Sequence, residues 1–336
     1  MAASILITGA SGFIGSFVVQ EALRRGYDVW AGVRRGSNRK YLRRGGIRFL
    51  ELDLTCAEDL RARLSEHRQT YGAFDYIVHC AGVTKARSRK EFDRVNHVQA
   101  CGFVDALVEL NMIPRQFVFL SSLSVFGPVH EKDHAAIGND DTPAPNTCYG
   151  MSKLRAERYM EGILEFPYVI YRPTGVYGPR DRDYFLLARA VKSHLDVSVG
   201  FKQQELTFIY VKDVVKAIFL GIDKKVTRRS YFLSDGNTYR SRQFAELVRK
   251  ELGNPFVLHV TCPLPVFKTI SLVAGFVSGC IGRASTLNGD KYRIVKQRNW
   301  RCDISSAAEE LGFTPAYGLE RGVKETVAWY KNEGWL

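Results

Sequence analysis

The stretch ILITGASGFIGS, residues 5–16, constrains the fold more than any other part of the chain. An apolar, strand-like run leads straight into glycines at 9, 12 and 15, and an amphipathic helical pattern follows without a linker. A strand can pass into a helix this abruptly only through a tight turn whose backbone carries no Cβ atoms on its open side. The amides at the start of such a helix favour an anion, so Gly9, Gly12, Phe13, Ile14 and Gly15 read as a cradle for a pyrophosphate. The glycines are spaced G-x-x-G-x-x-G, one residue wider than the common G-x-G-x-x-G dinucleotide turn.

Further strand-like runs at 28–33, 47–52, 76–80, 116–120 and 168–171 alternate with helical patterns, as in a parallel sheet wrapped by helices. The expected fold is α/β, a doubly wound parallel sheet of Rossmann type whose ligands lie beyond the carboxyl ends of the strands. In the first helix Phe13, Phe17, Val18 and Leu23 share a face, and Gly26 is placed to close it in the left-handed conformation. After residue 171 the alternation gives way to loops such as RPTGVYGPRDR. We therefore expect a nucleotide-binding domain over 1–175 and 207–233, with TFIYVKDVVKAI returning to the sheet. A smaller, mostly C-terminal substrate lobe takes 176–206 and 234–336.

With 46% hydrophobic and 25% charged residues and no low-complexity tract, the 336-residue chain has the composition of a folded enzyme. Its seven cysteines are odd in number and form no C-x-x-C pair, which predicts reduced, buried thiols, a cytoplasmic location and no metal site. The first strand begins within four residues of the amino terminus, so no secretory leader is expected.

The net charge is +13, and nine Lys and Arg residues crowd between Arg24 and Arg48. One of them, Arg34, decides the cofactor. A fold that binds NAD presents an acid to the ribose about 20 residues past the glycines. Here Arg34 lies 19 residues after Gly15, and no Asp or Glu occurs between Asp28 and Glu51. A guanidinium grips a 2′-phosphate that a carboxylate would repel. NADP(H) is expected over NAD(H), with Arg35, Ser37, Asn38, Arg39 and Lys40 as helpers. Nucleic acid is not expected as a partner.

Two more segments carry chemistry. In CYGMSKLRAE, Tyr149 and Lys153 stand four apart and project from one face of a helix. A phenol titrates near pH 10, and a neighbouring ammonium is expected to lower that value and make Tyr149 a usable acid or base. In FVFLSSLSVFGP an apolar strand ends in hydroxyls, placing Ser122 where it can polarise a carbonyl. A third segment, 269–282, is uncharged and too short to span a bilayer. Val266, Ile270, Val273, Val277 and Ile281 recur at helical spacing, so a buried or lid helix is expected there rather than a membrane contact.

At these residues the chain resembles the extended short-chain dehydrogenase/reductase family, the NAD-dependent epimerase/dehydratase group. The likeness covers nearly the whole length: TGASGFIG, DLT at Asp53, HCAG at 79–82, Asn96, LSSLSVFG, YGMSK, RPTGVYGPRD and FIYVKDV. It implies that Ser122, Tyr149 and Lys153 form a catalytic triad, with Lys153 also on the nicotinamide ribose. It implies that Asp53 and Leu54 meet the adenine, that Ala81 and Gly82 line the cofactor, and that Pro173 and Thr174 approach the nicotinamide. It also implies a homodimer through the helices that follow the fourth strand and carry Tyr149.

Departures from the family pattern narrow the substrate. Dehydratase members carry an Asp-Glu pair where Leu123 and Ser124 stand. Sugar-nucleotide epimerases resembling this chain have an Asn and an Arg for the substrate diphosphate where Gly175 and Leu206 stand. Together with the apolar 269–282 segment, these departures turn the chain toward the hydroxysteroid dehydrogenase and dihydroflavonol reductase branches. The expected activity is NAD(P)-dependent hydride transfer at a carbonyl or carbinol carbon of a small, less polar molecule. The alternatives are nucleotide-sugar 4-epimerisation with a retained cofactor, and a non-catalytic NADP-sensing or RNA-binding module on the same fold.

Overall fold

The computed structural model describes residues 2–280 and 288–336. Seven strands form the central sheet: β1 (Ser4–Thr8), β2 (Asp28–Val33), β3 (Ile47–Glu51), β4 (Tyr76–His79), β5 (Gln116–Leu120), β6 (Tyr168–Pro173) and β7 (Arg229–Leu233). Their order across the sheet is β7-β6-β5-β4-β1-β2-β3, and every pairing from β6 to β3 is parallel. Strands covered by helices on both faces must be apolar throughout, and the side chains of β5 and β6 are buried without a break. The six expected strands are present to within two residues at each end.

The return to the sheet differs from expectation. Phe208–Tyr210 pairs instead with Gly175–Tyr177 in a separate two-stranded ladder. The chain regains the central sheet only after helix Val211–Asp223, through β7.

The first helix, Phe13–Arg24, ends as predicted: Gly26 has φ +77° and its N–H reaches the Leu23 carbonyl. Its buried face, however, is Gly15, Ser16, Val18, Val19 and Ala22, with Phe13 and Phe17 half-exposed in an edge-on pair. Small residues let the helix approach the sheet closely, so the large rings are pushed to its shoulder.

Two compact units divide the chain. The first comprises Met1–Ser122, Cys148–Arg172 and Val215–Tyr231, and the second Leu123–Thr147, Pro173–Val214 and Phe232–Leu336. The first contains a core of Leu6, Leu64, Ile77, Phe103, Phe117 and Met160. The second is built around aromatic residues, among them Tyr177, Phe208, Tyr210, Phe244 and Tyr330. Relative to the expected boundaries, 123–147, 173–175, 207–214 and 232–233 fall in the second unit.

Six cysteines lie among the described side chains and all are free; Cys56 is exposed, against the expectation of burial, while Cys101 and Cys302 are buried. The apolar segment is helical over Leu264–Cys280, and residues 281 and 282 of the expected stretch lie outside the described residues. Its described side chains are only partly buried. Val266, Ile270, Leu272 and Val273 are all about half-exposed, so of the expected buried or lid helix the buried reading does not hold. Among the described residues no helix is long and apolar enough to cross a membrane.

Candidate active site

Parallel register brings the strand ends to one line. Thr8 sits level with Gly32 and His79, His79 with Phe119, and Leu120 with Tyr171. The segments leaving those strands therefore emerge along one edge of the sheet, where doubly wound folds bind ligands. These are the glycine turn after β1, Arg34 after β2, Asp53 and Leu54 after β3, Ala81 and Gly82 after β4, and Ser122 after β5. Pro173 is the last residue of β6.

Gly9 has φ +64°, and its carbonyl accepts the Gly12 N–H at 2.9 Å. A Cβ at Gly9 would stand 2.7 Å from the Ala81 nitrogen, and one at Gly15 would stand 2.9 Å from the Gly9 carbonyl carbon. The helix begins on exposed Gly12, which offers no side-chain cap, and its first turn holds no acid. The amides of Phe13, Ile14 and Gly15 precede the first intrahelical bond, from Ser16 to the Gly12 carbonyl. A bare backbone cradle at a helix start with no competing carboxylate fits a dinucleotide pyrophosphate.

The neighbouring loops are pinned to this turn. Thr8 Oγ1 accepts the Ala81 N–H at 3.4 Å and lies 3.0 Å from His79 Nδ1. Burial pushes His79 down to about 3, so the ring stays neutral and structural. Arg34 is exposed at the end of β2, its N–H donating to Ser37 Oγ and its carbonyl accepting the Ser37 N–H. Asp53 faces it. Two hydrogen bonds from Thr55 hold the Asp53 carboxyl below its usual range, and the Arg34 charge adds to them. Leu54 packs its side chain against the core.

Ser122 and Tyr149 come together, with Lys153 one turn further along the Tyr149 helix. The Ser122 and Tyr149 hydroxyls are hydrogen-bonded, and Tyr149 and Lys153 lie one turn apart on helix Cys148–Gly162. Lys153 is buried; its Nζ donates to the Leu120 carbonyl at 2.8 Å and sits 4.6 Å from the centre of the Phe119 ring. A Cβ on Gly82 would lie 3.3 Å from that Nζ, so only glycine lets the loop close over the lysine without crowding it.

Electrostatically the pair departs from the expectation that Lys153 lowers Tyr149. Burial pushes the Tyr149 hydroxyl up to about 12, with the Ser122 hydrogen bond pulling it back and the Glu157 charge raising it further. Burial also pushes Lys153 down to about 8, against the raising influence of Cys80 and Glu157. One low-dielectric environment disfavours both charged forms.

Three residues brace the site in ways the sequence does not reveal. Asn96 is buried in a π-helical segment, Arg94–Val98. Its Oδ1 accepts the Val83 N–H at 2.8 Å, and its Nδ2 donates to the Val83 carbonyl at 3.0 Å and to Ser152 Oγ at 3.1 Å. One side chain thus ties the loop after Gly82 to the Tyr149 helix. Lower on that helix Glu157, fully buried, takes Arg172 Nη2 at 2.7 Å and Nε at 3.1 Å. The YGMSKLRAE stretch puts Glu157 one turn beyond Lys153, but nothing in the sequence indicates its distant partner.

Residues 5–233, from β1 to the end of β7, match the model of the NAD dependent epimerase/dehydratase family. The chain belongs to that family. As a member it is an enzyme of the NAD(P)-dependent oxidoreductase or epimerase type. Over 341 residues it is 27% identical to UDP-glucose 4-epimerase of Vibrio cholerae, covering 97% of this chain and 95% of the relative. Over 344 residues it is 24% identical to the decarboxylating sterol-4-alpha-carboxylate 3-dehydrogenase of Dictyostelium discoideum, covering 96% and 99%. In structure it is similar to UDP-glucose 4-epimerase of Thermotoga maritima with UDP-glucose, at TM-score 0.78 and 22% identity over 98% of this chain and 99% of the other. It is also similar to MoeE5 in complex with UDP-glucuronic acid and NAD, at TM-score 0.76 and 24% identity over 98% and 100%.

Proposed function

We propose that this family member reduces a carbonyl group on a small, less polar molecule by hydride transfer. The observation that carries the reading is the Ser122–Tyr149 hydrogen bond with buried Lys153 one turn on, at the sheet edge that also bears the glycine turn. Gly9, Gly12, Phe13, Ile14 and Gly15 would hold the dinucleotide pyrophosphate, Ala81 and Gly82 would line the cofactor, and Pro173 and Thr174 would approach its nicotinamide. The bound nicotinamide supplies the hydride. Ser122 holds the substrate oxygen and Tyr149 gives it a proton. A hydroxyl pushed up to about 12 is protonated throughout the neutral range, which suits an acid waiting to donate. Lys153, still an ammonium below about 8, stabilises the phenolate left behind.

Support for a less polar substrate comes from the two departures. Where epimerases resembling this chain carry Asn, a Cβ at Gly175 would collide with the Tyr184 hydroxyl. Tyr184 packs against Phe208 and Phe244, ring centres 5.9 and 4.7 Å away, so an aromatic cluster fills the place of the polar side chain. Gly175→Asn is therefore expected to lower stability by about 1–3 kcal/mol through overpacking, and to confer no activity on sugar nucleotides. A thermal melt and an epimerase assay check both halves.

The second reading, nucleotide-sugar 4-epimerisation with retained cofactor, is favoured by the Vibrio relative. One experiment separates the two: the protein is given NADPH or NADH with a panel of apolar ketones and sugar nucleotides. Stoichiometric loss of reduced cofactor with a ketone supports the reductase. Interconversion of a sugar nucleotide without net cofactor consumption overturns it.

Exposed Arg34 supports NADP(H) as the cofactor, whereas MoeE5 holds NAD. Arg34→Asp is expected to weaken NADP(H) by about 10- to 100-fold, the loss of one or two charge-assisted hydrogen bonds, and NAD(H) little. Titration of both nucleotides into wild type and variant measures this, and equal weakening of the two would remove the NADP assignment.

A further inference from the structure

The strands Leu195–Val199 and Leu258–Cys262 pair in parallel, setting Leu195 beside Leu258 and Val197 beside Val260. Alternation puts these four on one face of the ribbon, and they are 37%, 55%, 53% and 41% exposed. The polar residues pair on the other face, Asp196 with His259 at 2.8 Å and Ser198 with Thr261 at 2.9 Å. Phe201 and Phe256, just beyond the ribbon, are 80% and 77% exposed. The second strand runs directly into helix Leu264–Cys280, which meets the end of the first strand at Gly200, where a Cβ would stand 3.2 Å from Leu264. On that helix Phe267 and Ser271 are buried, while Val266, Ile270, Leu272 and Val273 are left to solvent. A soluble surface rarely leaves this many apolar side chains uncovered on adjoining elements.

We infer that this surface docks on an anionic lipid bilayer, with the helix lying in the interface. Length excludes a span: the uncharged part of the helix, 269–280, runs about 18 Å against a hydrocarbon core of about 30 Å. Charge selects the occupant. From 252 to 280 the chain contains no Asp or Glu, Lys268 and Lys202 stand exposed within the surface, and the whole chain carries +13. Lysines among apolar side chains reach out to lipid headgroups while the apolar groups enter the acyl boundary. A second copy meets this face less well. A twofold contact sets like against like, and this acid-free surface offers no carboxylate to the lysines of its partner.

The test is flotation of the full-length protein with vesicles of phosphatidylcholine plus phosphatidylglycerol, and with vesicles of phosphatidylcholine alone. The wild type is expected to float with the anionic vesicles and to be released as salt is raised. Ile270→Glu with Val273→Glu is expected to lower the bound fraction at least about tenfold with an unchanged melting temperature. Phe256→Trp supplies a second readout, an emission blue shift on adding anionic vesicles. The inference is overturned if the wild type stays in solution with anionic vesicles, if the double variant floats as well as wild type, or if the emission of the Phe256→Trp variant does not move. It is equally overturned if sedimentation velocity shows a dimer that the double variant dissociates, because a second copy then covers the face.

Discussion

Tyr149→Phe is expected to lower turnover by about 10²- to 10⁴-fold, the range lost when a positioned acid is removed, with nucleotide affinity nearly unchanged. The substitution deletes one oxygen from a ring that packs edge-on against Phe92, so the helix and its neighbours have no reason to move. It removes the Tyr149 hydrogen bond to Ser122 and, on the proposed mechanism, the proton source for the substrate oxygen. Steady-state turnover beside a nucleotide titration separates the two effects; unaltered turnover would remove Tyr149 from the chemistry. The wild type should also show a pH signature. As pH rises through about 8, Lys153 loses its proton while Tyr149 keeps its own until about 12. Reduction is therefore expected to hold through neutral pH and to fall above about 8, because the phenolate left by proton donation then forms without an ammonium beside it.

Much of this geometry is readable from the chain, and the exceptions have physical reasons. Runs such as Gln116–Leu120 are buried on both faces, and burial of that kind writes itself into composition. β7 is harder to read because RSYFL sits at the sheet edge directly after KKVTR, where apolar pressure acts on only part of the strand. Periodicity locates the apolar stripe of the 264–280 helix but carries no information about what covers it. The spacing of Tyr149 and Lys153 places them on one helical face. It says nothing of the dielectric around them, which raises the hydroxyl and lowers the amine instead of letting the amine lower the hydroxyl. The glycine turn is legible for the opposite reason: its requirements are local, and any Cβ there meets backbone.

Glu157→Ala is expected to destabilise the protein by about 3–5 kcal/mol, read as a shift in the denaturation midpoint, because it removes the close partner of the buried Arg172 guanidinium and leaves the Glu161 carboxylate 3.9 Å away. Both side chains are at least nine-tenths buried, and Arg172 approaches Glu157 through two nitrogens, so deleting the carboxylate removes two hydrogen bonds from a charge held away from solvent. Replacing both, Glu157→Leu with Arg172→Leu, removes the two charges together and should recover much of that loss. Function should not recover with it. The Glu157 charge favours the protonated forms of both Lys153 and Tyr149. Without it Lys153 gives up its proton at lower pH, and the alkaline fall in reduction moves below about 8. A double variant that melts like wild type but keeps its pH limb in place would make Glu157 a purely structural anchor. A limb that moves would make it a positioning residue acting through Lys153, one turn away on the same helix.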